Sequence, residues 1–246
     1  MLKKTNTSVF FKLLFLLLFV HLNQGYSQKK IAKPGIRFGF GPVLGFYSIN
    51  PNHAKNPSQK ISALFSFKKE LKCNKKGKTF FSLGAEYFLH GLNFKSYYFK
   101  PDSLQLYDRT FSYNYALVIK EISIPIQYKY LFKSETNSVF SPYFMLGYHL
   151  KYLLSANLKV TQNGIIINEE EVNLKFRKPL IFEHLNSLMS VTVGFQKNSI
   201  NNSPTNFFTE VNLRYGPSQY YFEKSYAASS LYINSLHIAI QVGVKF

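Results

Sequence analysis

The chain has 246 residues, with 30 Lys and Arg against 12 Asp and Glu, a formal net charge of +18 and one cysteine, Cys73. A single cysteine excludes an intrachain disulfide framework, so stability has to come from packing and pairing. The N-terminus carries Lys3 and Lys4, an apolar run from Val9 to Leu22 interrupted by Lys12 and His21, and then Gly25, Tyr26 and Ser27. That order of charge, apolar core and small residues predicts a secretory signal peptide over 1–27 and a mature domain over 28–246. The apolar run is shorter than the roughly 20 residues a spanning helix needs, and no later segment is a helix candidate. No cysteine follows the signal closely, which excludes a lipoprotein anchor there.

Removing the three lysines of the signal leaves 27 basic against 12 acidic residues, a net charge near +15. An exported chain meets no nucleic acid routinely, and the basic residues are dispersed instead of forming one stripe. Phosphorylated lipid head groups are one counter-charge; solvated lysines of loops and lumen are the plainer alternative.

From residue 36 onward the apolar residues recur at period two, the spacing of a strand with one apolar face. Eight segments show it, over 36–49, 60–69, 78–92, 117–132, 140–156, 183–197, 205–217 and 231–246. Phe38, Phe40, Leu44 and Phe46 share a face in the first, Ile61, Ala63, Phe65 and Phe67 in the second, and Phe81, Leu83, Ala85, Tyr87 and Leu89 in the third. The fourth is the most regular, with Ile122, Ile124, Ile126, Tyr128, Tyr130 and Phe132 opposite Glu121, Ser123, Gln127 and Lys129. Pro125 cannot donate to a ladder, so one link there is missing or bulged. The last four repeat the pattern through Leu146 and Tyr148, Val191 and Phe195, Val211 and Leu213, and Ile238 to the terminal Phe246.

Period alone does not say which face points inward. Segments of about ten or more residues suit tilted membrane strands, the count is even, and aromatic residues stand at strand ends where interfacial girdles belong. Connections alternate as well, short at 70–77, 133–139 and 198–204, long at 93–116 and 157–182. In the longest, Asn163-Gly164 is a two-residue hairpin signal, so 157–176 is expected to project as a hairpin continuing the fifth and sixth strands. The fold class is all-β, an eight-stranded antiparallel up-and-down transmembrane β-barrel in the cell outer membrane, with short turns and both termini on the periplasmic side.

The run Glu121-Ile-Ser-Ile-Pro-Ile-Gln-Tyr-Lys-Tyr-Leu-Phe132, followed by Ser141-Pro-Tyr-Phe-Met-Leu-Gly147, resembles the PorT-like outer-membrane β-barrel family of Bacteroidota. Phe208-Thr-Glu-Val-Asn-Leu-Arg-Tyr-Gly216 is similar to that family's seventh strand. The resemblance implies eight strands and an outer-membrane location, and little about activity. Two departures stand out: Ser123 is inserted in the Glu-Ile-Pro pattern, and Gly243 lies closer to the terminal aromatic assembly signal, Phe246, than is usual.

Eight strands enclose a lumen that side chains nearly fill, which disfavours a diffusion pore. That lumen is expected to hold a polar network of Arg37, Glu86, Glu121, Lys129, Lys151, Glu210, Arg214 and Lys245. No catalytic group, metal site or cofactor is expected. Glu86 and His90 are about 13 Å apart along a strand, too far to grip one ion. Lipid A deacylases of this size use a His-x-Ser pair, and His53, His90, His149, His184 and His237 are followed two places on by Lys, Leu, Lys, Asn and Ala. Glu169, Glu170 and Glu171 alternate in direction on a strand and do not converge on calcium.

These readings describe a monomeric, non-enzymatic scaffold or binding module that contacts outer-membrane lipids, the insertion machinery and an envelope protein partner, with no nucleic acid. Its role is that of an accessory of secretion, motility or envelope maintenance. The alternatives are an outer-membrane lipid-modifying enzyme and a soluble periplasmic lipid-binding barrel. One register follows as well: Phe132 opposite Phe140 sets Glu121 directly opposite Lys151 on the lumen face.

Overall fold

The computed structural model describes residues 35–50, 54–60, 62–74, 78–100, 109–132, 140–172, 174–176, 184–197, 206–216, 220–222 and 231–246. The expected signal peptide, 1–27, lies outside them, as do Ile61 and the turns at 133–139 and 198–205. All described residues fall in the unit Ala32–Phe246.

The elements are β1 (Ile36–Asn50), β2 (Ala54–Gln59), β3 (Ala63–Lys72), β4 (Thr79–Lys100), β5 (Arg109–Leu131), β6 (Phe140–Gln162), β7 (Ile165–Glu171), β8 (Lys175–Phe176), β9 (Leu185–Lys197), β10 (Asn206–Tyr215), β11 (Tyr220–Phe222) and β12 (Leu231–Lys245). Among the described residues, eight of them form one antiparallel ring in the order β1, β3, β4, β5, β6, β9, β10, β12. Pairing of β12 with β1, from Arg37 opposite Lys245 to Asn50 opposite Tyr232, closes it. The seam is sealed at one end by two backbone hydrogen bonds, from Ile36 N–H to the Phe246 carbonyl at 3.0 Å and from Phe246 N–H to the Ile36 carbonyl at 2.9 Å. Closure removes the free sheet edges that would otherwise template aggregation or sit unsatisfied in lipid.

Strand alternation sorts the side chains as the period-two pattern requires. Phe40, Phe65, Leu146, Val193, Phe207, Val211 and Val242 are exposed on the outside, whereas Arg37, Glu86, Lys129, Thr192, Glu210 and Gln241 are buried inside. A soluble barrel has the opposite arrangement, so the outer belt is surface made for lipid. That inversion rules out the soluble periplasmic carrier.

Two elements run further than the pattern suggested. β4 continues to Lys100 and β5 begins at Arg109, paired end to end, so most of the long connection expected at 93–116 is strand. Its alternation was hidden because the inward residues there turn apolar: Phe94, Tyr115 and Leu117 are buried, which blurs the contrast between faces. The Asn163-Gly164 turn has φ of 50° and 81°, as a two-residue hairpin of this hand demands. It joins β6 to β7, a strand outside the ring, and not to the sixth membrane segment β9, which pairs with the lower part of β6. At about 3.3 Å per residue, β4, β5 and β6 are each about 70 Å long, far more than an apolar band of about 25 Å needs even with strong tilt. They therefore rise well beyond the membrane at the end opposite the termini.

Candidate functional site: the charged lumen

Arg37, Glu86, Glu121, Lys129, Lys151, Glu210, Arg214 and Lys245 are all buried. Lys68 and Glu70, both buried on β3, join them, as do His90, His149, Tyr143 and Tyr220. For Lys68 and Glu70 the signal was available, since they stand two and four places after Ser66 on the same face. The charged groups gather around four carboxylates at successive depths.

Nearest the termini, Glu70 binds Lys129 at 2.8 Å, Lys245 at 3.0 Å and Arg37 at 3.3 Å. Lys129 also donates to Gln196 Oε1 at 2.8 Å. Arg37 reaches onward to Glu210 at 2.8 Å, Tyr143 donates its hydroxyl to the same carboxylate at 2.8 Å, and the guanidinium lies 3.8 Å from the centre of the Phe208 ring. The fork of one arginine thus ties two carboxylates on different strands. Phe80, Leu131, Tyr143 and Met145 form a small buried apolar cluster packed against these ions.

At mid-depth Glu86 accepts from Arg214 Nη2 at 2.8 Å and pairs with Lys68 at 2.9 Å, with the Ser123 hydroxyl at 3.1 Å. His149 places Nδ1 at 3.1 Å from Glu86 and Nε2 at 2.7 Å from Ser190 Oγ. Serine, histidine and carboxylate in that order is the connectivity of a hydrolytic triad. Here Ser190 is 2 % exposed, His149 is fully buried, and the carboxylate is shared with two cations. No sequence spacing advertises the contact, because its members come from β4, β6 and β9.

Higher up, Glu121 pairs with Lys151 at 3.5 Å and with His90 at 3.4 Å, and accepts the Tyr220 hydroxyl at 2.8 Å. Lys151 donates to that hydroxyl at 3.0 Å. Glu86 and His90, as their separation on one strand requires, serve different clusters.

The expected Glu121–Lys151 register needs correction. Glu121 stands opposite Leu153, and Lys151 opposite Ser123. Phe132 N–H bonds to the Pro142 carbonyl at 3.0 Å, so the first pair across this connection lies two residues further along β6 than expected, and every partner of β5 below the bulge moves by two. On the β6 side Pro125 stays in register with His149 and the bulge lies between Lys120 and Glu121, so the missing link expected at Pro125 is on its other side. On the β4 side the ladder skips the positions of Pro125 and Ile124 and resumes unchanged at Ser123 opposite Glu86.

Above the ions the lumen turns apolar. Leu92, Phe94, Leu117, Ile119, Leu153, Ala156, Leu158, Val160, Leu174 and Ile233 form one buried cluster with Tyr115 and with Tyr220, whose hydroxyl joins it to the Glu121–Lys151 group. Among the described residues there is no group of three His, Cys, Asp or Glu placed to hold a metal ion.

No family model matches the chain. No curated protein matches it either. Solved structures do. The outer membrane protein OprG from Pseudomonas aeruginosa is similar at a TM-score of 0.52 and 15% identity, over 87% of this chain and 96% of that one. Neisserial surface protein A matches at 0.35 and 13% identity, over 86% and 96% of the two chains. Ail, the attachment invasion locus protein of Yersinia pestis, matches at 0.34 and 12%, over 87% and 99%. With an apolar belt outside and ions within, the chain is an integral β-barrel of the outer membrane.

Proposed function

We propose that this barrel is a closed, non-enzymatic scaffold that holds a binding platform above the membrane, as an accessory of secretion, motility or envelope maintenance. The observation that carries the reading is the filled lumen: ion clusters around Glu70, Glu86, Glu121 and Glu210, packed between the buried apolar clusters that contain Phe80 and Leu131 and that contain Leu92, Leu117 and Leu158. Paired ions crossing between strands act as struts, and the apolar cluster packed against them leaves little for a hydrated solute to follow. Long β4, β5 and β6 then serve to lift the loop end clear of the lipid. Single-channel recording of the purified barrel in planar bilayers tests the scaffold reading: a flat current record is expected, and reproducible unitary steps would overturn it.

The Ser190–His149–Glu86 contact favours a second reading, a lipid-modifying hydrolase. It ranks below the first because the serine faces a packed interior and the carboxylate is already neutralised by Lys68 and Arg214.

A further inference from the structure

Among the described residues, β7 is the longest element that the ring does not absorb. It pairs with Asn157–Gln162 of β6, and among the described residues with no other strand. Asn157 lies about 55 Å of strand contour beyond Phe140, so at the usual tilt the hairpin stands well above an apolar band about 25 Å tall. Its second edge therefore presents backbone N–H and C=O groups to the outside, the template on which an added strand forms.

The side chains along that edge are graded. Ile165, Ile166 and Ile167 are 70%, 53% and 45% exposed, an apolar run in water where a barrel has no need of one. Glu169, Glu170 and Glu171 follow, all exposed. In a chain with 30 basic and 12 acidic residues, this run is a local reversal of charge, with Glu169 and Glu171 on one face and Glu170 on the other, and only Glu169 among them is seen paired, with Lys159 at 3.5 Å among the described residues. We infer that the outer edge of β7 receives an extended segment of a partner protein, apolar beside Ile165–Ile167 and rich in lysine or arginine beside Glu169–Glu171. Backbone hydrogen bonds supply the affinity and the graded side chains set the direction and register.

A second copy of the chain fits this edge poorly. Two barrels in one membrane share their orientation, so their β7 strands could pair only in parallel, placing each glutamate run beside its own copy. Like charges set opposite one another destabilise a strand pair. A basic segment has the complementary sign.

The inference rests on the scaffold reading, whose failure is read separately in the conductance experiment above. Its own test uses the full mature barrel in nanodiscs and a short acetylated, amidated peptide. The peptide's N-terminal half alternates lysine with threonine, and its C-terminal half alternates valine with threonine. Binding is read by fluorescence anisotropy, and the site by amide exchange along β7. The expected results are saturable binding, protection of Ile165–Glu171 amides, and at least tenfold weakening for a peptide with glutamate in place of lysine. Glu169→Lys with Glu171→Lys should invert that preference while the barrel keeps its heat-modifiable gel shift. Ile166→Asp should weaken both peptides. Absence of binding, equal binding of both peptides, or protection elsewhere than β7 would overturn the inference.

Discussion

The Glu121 carboxylate and the Lys151 ammonium meet at 3.5 Å although neither stands opposite the other in the ladder. Two residues of offset are bridged because lysine is long and both side chains point into a narrow lumen. The pair is buried and shares the Tyr220 hydroxyl, so removing one charge leaves the other in a poor solvent. Glu121→Gln should lower stability by up to about 3–5 kcal/mol, the range for a stranded buried charge. Lys151→Met should cost less than that, because Glu121 keeps Tyr220 and His90. A double-mutant cycle on urea unfolding in detergent measures the coupling, and a value near zero would show that the two charges are supported independently.

Much of this arrangement was legible in the sequence. Period-two alternation identified the eight ring strands and the inward residues, since a strand buried on one face and facing lipid on the other leaves no freedom in which set points where. What alternation does not encode is the stagger between strands. Register depends on the turn and on bulges, and Phe132 pairing with Pro142 moved the expected Glu121 partner from Lys151 to Leu153. Lys68 and Glu70 escaped notice because the outward apolar run of β3 ends near them, while their inward face continues. The apolar cluster that contains Leu92, Leu117 and Leu158 escaped for a related reason. Where the lumen itself becomes apolar, both faces look alike and the pattern no longer reports strand.

The most heavily committed carboxylates are Glu70, with three cations within 3.3 Å, and Glu86, with two cations and a histidine. Neutralising either leaves several buried cations facing one another. Glu70→Gln and Glu86→Gln are each expected to cost more than Glu121→Gln, with loss of folding as the extreme. The exposed Lys159–Glu169 pair is the control, because ion pairs of that kind contribute about 0–1 kcal/mol. Urea midpoints for the four variants check the ranking. A Glu70→Gln midpoint equal to that of Glu169→Gln would mean that the lumen is wet enough to screen its charges.

The serine contact gives a test with a chemical readout. If Ser190 is a strut, a fluorophosphonate probe should leave it unmodified in the folded barrel. His149→Ala should lower the unfolding midpoint and leave lipid A and phospholipid profiles of the cell unchanged. Covalent labelling of Ser190 that is lost in His149→Ala would establish the hydrolase reading instead.

Orientation in the membrane can be read from Cys73. It is exposed in the turn between β3 and β4, with its N–H bonded to the Thr79 carbonyl at 2.9 Å, at the same end as the Ile36–Phe246 seam. Short turns and chain termini of such barrels lie on the periplasmic side. The other end carries the long strands and the β6–β7 hairpin, too polar at Glu169–Glu171 to cross back through lipid. A membrane-impermeant maleimide should therefore leave Cys73 unlabelled in intact cells and label it once the outer membrane is opened. A cysteine placed at Gly164, in a Cys73→Ser background, should behave in the opposite way. Because the two sites lie at opposite ends of one rigid barrel, their labelling patterns have to be complementary. Labelling of Cys73 in intact cells with protection at position 164 would reverse the orientation and place the β7 edge in the periplasm, where its basic partner would then have to be sought.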